Sequence, residues 1–136
     1  MSSHLNPYIG FAGSARDAME FYKDVFGGDL NMNTYGDFGQ AGTPNENLIM
    51  HAQLETPAGF TLMAADSTEG TDTPDSDISI SLSGDDEADL RGYWAKLSDG
   101  GSVSLELAPQ MWGDTFGMCT DRYGVKWMVN ITAASA

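Results

Sequence analysis

The stretch PYIGFAGSARDAMEFYKDVFGG, Pro7–Gly28, decides the fold, because SISLSGDDEADLRGYWAKLSDG, Ser79–Gly100, repeats its pattern with Ser79 in the place of Pro7. In both stretches a short strand-like segment comes before apolar residues at helical spacing, and a glycine ends each stretch. A further match places Met50–Asp66 on Thr115–Ile131. A repeat of about 70 residues is longer than the roughly 20–50 residues of solenoid units. The sequence therefore predicts a single α+β domain, residues 1–136, in which one small module is used twice.

Each module is predicted to run strand, helix and three further strands. The spacing predicts helices over 15–26 and 86–98, the first with Ser14 as its N-cap. Apolar runs and turn residues predict strands at 5–12, 29–35, 48–55 and 59–65 in the first module, and at 78–82, 102–108, 115–120 and 125–131 in the second. The first βαβββ module then spans 5–66 and the second 78–131, and the acidic, Thr- and Ser-rich stretch 67–77 is the predicted linker.

The acidic composition argues against partners that are themselves negatively charged. The chain has 20 acidic and 6 basic residues, a net charge of −14, which repels nucleic-acid phosphates and anionic membrane surfaces. No stretch approaches the ~18 apolar residues of a membrane span. Cys119 is the only cysteine, so no intrachain disulfide can form and a reducing cytoplasm is the expected location. We therefore expect neither a nucleic-acid nor a membrane partner.

The strand at Ile78–Ser83 shows how the two faces of a module are assigned. Isoleucine or leucine alternates with serine, so the apolar side chains share one face and the serines share the other. The apolar face, Ile78 included, is expected to pack on the helix that carries Leu90, Trp94 and Leu97. The serine face either meets bulk solvent or lines a cavity. A βαβββ module used twice is expected to form an open, cup-shaped mixed β-sheet barrel with the helices outside, which favours the cavity.

Five motifs resemble one protein family. They are Pro-Tyr-Ile-x-Phe (7–11), Ala-x-x-Phe-Tyr (18–22), Phe-Gly-Gly (26–28), His-Ala-x-Leu (51–54) and Trp-Gly-Asp-x-Phe-Gly-Met-x-x-Asp-Arg-Tyr-Gly-Val-x-Trp-Met-Val-Asn (112–130). Together they are similar to the PhnB-like branch of the vicinal oxygen chelate superfamily, which includes glyoxalase I, bleomycin-resistance proteins, fosfomycin-resistance enzymes and extradiol dioxygenases. The resemblance covers about residues 5–131. It implies paired βαβββ modules, an eight-stranded open barrel around a central cavity, and a homodimer.

The same resemblance implies a site for a divalent metal, held by four inward side chains from the first and last strands of the two modules. Carried onto this sequence, the four positions are Pro7, Met63, Ser79 and Met128. The proline side chain has no donor atom, serine is a weak ligand, and a thioether is too soft for Mg²⁺, Mn²⁺ or Zn²⁺. The usual metal chemistry is therefore expected to be absent, and no cofactor is predicted.

The alternation of side chains between the two faces of a strand predicts which of them line the cavity. Ile49, His51 and Gln53 share one face of the third strand. Several methionines of the same parity would give the pocket a soft, adaptable apolar surface, and Trp112 is expected to close its mouth from a loop. The predicted ligand-binding residues are Ile9, Phe11, His51, Gln53, Thr61, Met63, Ser79, Ser81, Trp112, Phe116, Met118, Lys126, Met128 and Asn130.

Other chemically reactive side chains are given structural roles. Trp127 and Cys119 have the parity of the core that packs on the helix. Asp114 and Asp121 are interpreted as carboxylates that accept hydrogen bonds at turns, and neither is predicted to act as an acid or a base.

Two functions remain open at this point. The first is a metal-independent binding protein with an apolar, Met-rich cavity for a small aromatic or amphipathic molecule. The second is an enzyme of the lyase, isomerase or hydrolase type that uses His51 as a general base, helped by Gln53 and Ser79. A methyltransferase label, which some PhnB-like proteins carry, is not favoured, because no glycine-rich loop follows a parallel strand. The binding protein is preferred because no acid/base pair can be assembled from the sequence.

Overall fold

Each half of the chain folds as strand, helix and three strands, so the predicted α+β repeat is confirmed. The computed structural model describes residues 5–39, 41–67 and 78–133. The first module consists of β1 (Tyr8–Phe11), α1 (Ala15–Phe26), β2 (Asp29–Thr34), β3 (Ile49–Glu55) and β4 (Thr61–Asp66). The second consists of β5 (Ile80–Gly84), α2 (Glu87–Ser98), β6 (Ser102–Pro109), β7 (Thr115–Thr120) and β8 (Lys126–Ile131).

Both modules have the same sheet topology. Each forms a four-stranded mixed sheet, with the order β1-β4-β3-β2 in the first and β5-β8-β7-β6 in the second. The first strand of each sheet runs parallel to the last, and the remaining pairs are antiparallel. The chain divides into two compact units at the boundary between the modules, Met1–Asp75 and Ser76–Ala136. Apart from Ser67, the predicted linker 67–77 lies outside the described residues.

The core of the first module lies between α1 and one face of its sheet. The apolar side chains of α1 recur every three or four residues, so they form one stripe that the sheet covers. Ala18, Met19 and Tyr22 are fully buried on this stripe. On the sheet, alternation sends every second residue of β3 and β4 toward the helix, and these are buried: Ala52, Leu54, Leu62 and Ala64.

The second module packs its helix in the same way, with different side-chain sizes. Leu90 and Leu97 of α2 are buried, as are Trp127 and Val129 of β8, so the predicted core position of Trp127 is confirmed. Gly117 of β7 lies directly under the α2 residue Trp94. A Cβ atom at Gly117 would come within 2.9 Å of the Trp94 ring. The glycine therefore leaves the space that the indole needs.

The register of the first strands corrects the sequence-based superposition by one residue. Tyr8 pairs with Met63 and Ser81 pairs with Met128, so the counterpart of Tyr8 is Ser81, whereas the sequence match had placed Tyr8 on Ile80. The helices keep the predicted superposition, because α1 starts at Ala15 and α2 at Glu87. The difference arises because three residues connect β1 to α1 but only two connect β5 to α2.

Because of this one-residue difference, two side chains lie on the opposite face of the sheet from the one predicted. Ile9 and Phe11 pair with Ala64 and Asp66, whose side chains point toward α1, and Phe11 is buried. The expectation that Ile9 and Phe11 face a cavity was therefore wrong, since a shift of one residue moves a strand's side chains to the opposite face. Ile78 was also misplaced: it precedes β5 and is 78% exposed.

A β-bulge accounts for a further correction on β3. Asn33 pairs with His51, but the next residue of β2, Thr34, pairs with Ile49, so Met50 is the extra residue. Ile49 is fully buried and does not share a face with His51 and Gln53. His51 and Gln53 do share a face, because they alternate with the buried Ala52 and Leu54.

A buried carboxylate replaces the predicted helix cap. Ser14 is the N-cap residue of α1, but its side chain makes no capping hydrogen bond. Instead Asp66, at the end of β4, accepts hydrogen bonds from the backbone N–H groups of Gly13 and Ala15 at 2.9 Å, and from Ile49 N–H at 2.9 Å. One carboxylate thus ties the start of α1 to the start of β3.

No helix in the described part of the chain is long and apolar enough to cross a membrane.

Candidate functional site

The side of each sheet that faces away from its own helix carries most of the predicted site residues. We call it the distal face. On the first sheet, the register places Met63 beside Gln53 and Tyr8, and His51 beside Asn33. Gln53 lies between the buried Ala52 and Leu54, and Met63 lies between the buried Leu62 and Ala64. The residues of the first distal face are Tyr8, Asn31, Asn33, His51, Gln53, Thr61 and Met63.

Tyr8 and His51 form the most distinctive contact of the first distal face. The Tyr8 hydroxyl oxygen lies 3.4 Å from His51 Nδ1, and the ring centroids are 5.8 Å apart. The two residues belong to β1 and β3, and β4 lies between these strands in the sheet. Tyr8 is 55% exposed and His51 is partly buried, so a small molecule can reach both side chains. Nδ1 is the ring nitrogen that faces the Tyr8 hydroxyl, so Nε2 is the nitrogen that this contact does not use.

The second distal face is less polar along its centre. Met118 pairs with Met128, and Met128 pairs in turn with Ser81, so two thioethers lie beside a serine hydroxyl. Lys126 lies at one end of β8, where it pairs with Thr120, and Asn130 lies at the other end, where it pairs with Phe116. The residues of this face are Ser81, Ser83, Phe116, Met118, Thr120, Lys126, Met128 and Asn130.

The loop between β6 and β7 adds an aromatic ring and a carboxylate to the Asn130 end of this face. The Trp112 ring lies edge-on to Phe116, with centroids 5.9 Å apart and an interplanar angle of 62°. Asn130 Nδ2 donates a hydrogen bond to Asp114 Oδ2 at 3.0 Å, and the backbone N–H of Ala133 donates to Oδ1 at 3.1 Å. These two hydrogen bonds lower the pKa of the Asp114 carboxyl below its ordinary value. Trp112 is 60% exposed.

The donor atoms at the family's metal-ligand positions do not fit a hard divalent ion. With the corrected register, the side chains paired across the first and last strands are Tyr8 with Met63 and Ser81 with Met128. Two thioethers, a phenol and a serine hydroxyl supply no carboxylate or imidazole for Mg²⁺, Mn²⁺ or Zn²⁺. Nor do three His, Cys, Asp or Glu side chains come together in a metal-binding group anywhere in residues 5–39, 41–67 and 78–133.

Cys119 and Asp121 have the structural roles that the sequence suggests. Cys119 is buried, and burial, with a further contribution from the Asp121 charge, raises the pKa of its thiol to about 11. A thiol in this state is a poor nucleophile. Asp121 accepts hydrogen bonds from Tyr123 N–H at 2.8 Å, Val125 N–H at 3.1 Å and Trp127 Nε1–H at 2.9 Å. Asp114 also acts as a hydrogen-bond acceptor, as predicted.

The structure thus groups the predicted site residues by module. His51, Gln53, Thr61 and Met63 share the first distal face, whereas Ser81, Phe116, Met118, Lys126, Met128 and Asn130 share the second. Ser79 precedes β5, and Trp112 joins the second face through its contact with Phe116. Sequence reasoning missed Tyr8, Asn31 and Asn33 on the first distal face and Ser83 and Thr120 on the second. A superposition of Tyr8 on Ser81 would have placed the tyrosine on the distal face.

Comparisons with known proteins agree with this architecture. Residues 4–129 match the sequence model of the Glyoxalase/Bleomycin resistance protein/Dioxygenase superfamily. Protein YjdN of Escherichia coli (strain K12) is 24% identical over 139 residues, covering 93% of this chain and 94% of YjdN.

Solved structures show the same fold. Protein PA1353 from Pseudomonas aeruginosa is 37% identical, with a TM-score of 0.84 over 98% of this chain and 100% of that chain. A PhnB protein from Bacillus cereus is 21% identical, with a TM-score of 0.75 over 96% of this chain and 100% of that one. The match of residues 4–129 to the family model, which covers most of the chain, shows that this chain belongs to the glyoxalase/bleomycin resistance protein/dioxygenase superfamily.

Proposed function

We propose that this protein binds a small organic molecule without a metal ion, on the distal faces of its sheets. The observation that carries the proposal is the first distal face, where the Tyr8–His51 contact lies on the same surface as Met63 and Gln53. Aromatic and thioether surface beside a few fixed hydrogen-bonding groups is the usual composition of a small-molecule site. The side chains at the family's metal-ligand positions favour the same conclusion, because they suit an organic ligand better than a hard cation.

Ligand retention and thermal shift test the proposal directly. Native mass spectrometry of protein purified from its own cell is expected to show a retained small molecule, and a screen of aromatic and amphipathic compounds is expected to raise the melting temperature. Met63→Asp is expected to weaken a hit on the first distal face at least tenfold, because it replaces the thioether at the centre of this face by a charge that must lose water when the ligand binds. Ala95→Asp, which introduces the same charge at an exposed position of α2, serves as the control. Equal affinity in Met63→Asp and wild type would contradict this site.

Metal independence has its own measurement. Dialysis against EDTA is expected to leave the melting temperature unchanged, because no metal-binding free energy is linked to folding. A fall of several degrees that Ni²⁺ or Zn²⁺ restores would contradict the proposal, and His51 would then be the first ligand to examine.

A second candidate function, an enzyme that uses His51 as general base, is favoured by the Tyr8 contact. In the neutral tautomer whose Nδ1–H donates to the Tyr8 oxygen, Nε2 carries the lone pair that can accept a proton from a substrate. His51→Gln distinguishes the two functions. For a binding protein this change is expected to alter affinity by less than ~1.5 kcal/mol, whereas for the enzyme it removes a rate factor of ~10²–10⁴ with affinity preserved. A bound compound recovered chemically unchanged supports the binding protein.

The assembly and location that we propose follow from the family and the thiol. We propose a homodimer, as the family resemblance implies, in a reducing cytoplasm that keeps the Cys119 thiol free. Light scattering at micromolar concentration is expected to give twice the mass of one chain, and a mass of 14.6 kDa would contradict the dimer.

A further inference from the structure

The loop between β6 and β7 displays two large apolar side chains. Met111 is 99% exposed and Trp112 is 60% exposed. The loop itself is ordered by hydrogen bonds from Gln110 N–H to the Asp114 carbonyl at 2.8 Å and from Gly113 N–H to the Gln110 carbonyl at 3.0 Å. Exposed apolar side chains on a well-formed loop commonly mark a binding surface.

The Trp112 ring is fixed at one end of the second distal face by a chain of contacts. Trp112 lies against Phe116, Phe116 pairs with Asn130 across β7 and β8, and Asn130 Nδ2 donates to the Asp114 carboxylate. An aromatic face and an ionised carboxylate are therefore neighbours on the same edge of the sheet. Like any aspartate with an ordinary or lowered pKa, Asp114 is ionised at neutral pH, and its two hydrogen bonds lower the pKa further.

The positive groups of the second module lie elsewhere. Arg91 pairs with Glu87 on α2 at 2.7 Å, and Arg122 pairs with Asp99 at 3.5 Å. Lys96 lies on α2. Lys126 is on the second distal face, but it is four positions before Asn130 along β8, about 13 Å at the rise of a strand. Since the whole chain carries a net charge of −14, a cation that approaches this carboxylate is attracted and an anion is repelled.

We infer that the Trp112, Asp114 and Phe116 end of the second distal face binds an aromatic cation. The flat ring of the ligand stacks on the exposed Trp112 indole, and its positive charge lies beside the Asp114 carboxylate. Phe116 holds the indole in place. The inference rests on the proposed function, because it names the class of ligand that one of the two distal faces takes.

The ratio of the affinities for a cationic ring and a neutral ring of the same shape can be estimated. A cation over an exposed indole face gains enough to strengthen binding by about two- to fivefold over a neutral ring, and a nearby exposed carboxylate contributes a similar factor. Together they favour the cation about tenfold. Because both contributions are electrostatic and near the surface, the preference declines as the salt concentration rises.

Three probes of similar shape test this selectivity: N-methylquinolinium as the cation, quinoline at pH 8 as the neutral ring, and naphthoate as the anion. The readout is tryptophan fluorescence, since Trp127 is buried and Trp94 packs on Gly117, which leaves Trp112 as the exposed fluorophore among the three tryptophans. N-methylquinolinium is expected to quench the emission in a saturable way, with an affinity about tenfold above that of quinoline and with no binding of naphthoate.

Two variants and a control locate the site. Trp112→Leu, in an exposed loop, is expected to remove the quenching and to weaken N-methylquinolinium binding measured by calorimetry. Asp114→Asn is expected to lower the preference over quinoline from about tenfold to the two- to fivefold that the indole supplies. Asp99→Asn, which removes an equal charge beside Arg122 at the other end of the second module, is expected to leave the tenfold preference unchanged. If Asp114→Asn lowers the melting temperature, the salt dependence of wild-type binding supplies the same information.

The outcomes separate this inference from the proposed function. Equal binding of the three probes, a preference for naphthoate, or unchanged binding in Trp112→Leu overturns the inference. The proposed function survives all three results if a cellular ligand or a screening hit responds to Met63→Asp. Conversely, selective quenching of Trp112 with no ligand response on the first distal face supports the inference and rejects binding at the first.

Discussion

The two modules have the same topology but hold their strand ends together with different polar side chains. In the first module the residue opposite the end of β1 is Asp66, and in the second module the residue opposite the end of β5 is Ile131. Asp66 accepts three backbone hydrogen bonds from distant segments, whereas Ile131 is an apolar core residue. The shared fold therefore does not depend on a shared carboxylate.

The second module has its buried carboxylate in the turn between its last two strands. Asp121 corresponds to Thr56 in the first module, and both residues accept a hydrogen bond from the N–H group four residues later. Asp121 also accepts from Trp127 Nε1–H, where the first module has the apolar Leu62. The comparison teaches that backbone pairing and apolar burial specify the module, while each copy satisfies its remaining N–H groups independently.

The largest expected effect comes from removing the carboxylate of the first module. Asp66→Ala leaves the buried N–H groups of Ala15 and Ile49, and the part-buried one of Gly13, without their acceptor. At about 1–3 kcal/mol for each buried group, we expect a loss of about 2–6 kcal/mol in the free energy of unfolding. Urea denaturation followed by circular dichroism measures the loss. Asp66→Asn, which keeps one acceptor oxygen, is expected to fall between Ala and wild type. A loss below about 1 kcal/mol would show that the carboxylate is not the anchor of this module.

A smaller effect is expected where the second module fits a tryptophan over a glycine. Gly117→Ala would place a Cβ atom 2.9 Å from both the Trp94 ring and Leu107 Cα. Overpacking of this kind costs about 1–3 kcal/mol. The first module has Tyr22 and Ala52 at the matching positions, so Trp94→Tyr combined with Gly117→Ala imitates it and is expected to recover part of the loss. Additive losses in the double variant would mean that the Leu107 backbone, and not the indole, limits the space.

The Asp121 carboxylate is expected to contribute less to the free energy of unfolding than Asp66 does, because its contacts are confined to one turn and β8. Asp121→Asn can retain Oδ1 as acceptor for Tyr123 and Val125 but loses the bond from Trp127, for a loss of about 1–2 kcal/mol. Trp127→Phe and the double variant complete a mutant cycle, and a coupling of about 1 kcal/mol is expected. A loss as large as that of Asp66→Ala would remove the distinction between the modules.

The smallest effect concerns pH and Asp114. Its folded-state pKa is lowered by Asn130 and Ala133, so the stability that it contributes is present above the unfolded value of ~3.9 and is lost as pH falls through the folded pKa. Asn130→Leu removes the larger of the two hydrogen bonds and is expected to move the pKa of Asp114 up toward ~3.9. NMR titration of the side-chain carboxyl carbon measures the change. An unaltered pKa in Asn130→Leu would assign the lowering to Ala133 N–H alone.

The sequence predicted most element boundaries to within two or three residues, because alternation on strands and glycines at turns are local signals. The prediction of which sheet face a side chain occupies failed where it depended on the number of residues in a connection. Helical spacing tolerates an error of one residue, but a strand does not, so the same superposition suited Leu90 and misplaced Ile9 and Phe11. The β-bulge at Met50 also shifts the alternation by one residue, so Ile49 points to the opposite face from the one predicted.

The contacts of the candidate site were less accessible to sequence reasoning. Tyr8 and His51 are 43 residues apart in the sequence. Their contact depends on the strand order of the sheet, in which β4 alone separates β1 from β3. Asp66 begins an acidic stretch that resembles a linker, and its burial depends on β1 and β3 lying on either side of β4. By contrast, the role of Asp121 followed from a short turn motif and was predicted.

The one-residue difference in the connections has a consequence for protein engineering. The connection before α2 is one residue shorter than its counterpart before α1, and the connection after α2 is one residue longer, so the strands on both sides stay in phase. A chimaera that replaces Glu87–Ser98 by the equally long Ala15–Phe26 should therefore keep both loops of the second module, and one that brings the first module's loops with α1 must take both of them. The helix is an interchangeable part, provided that both loops change length together.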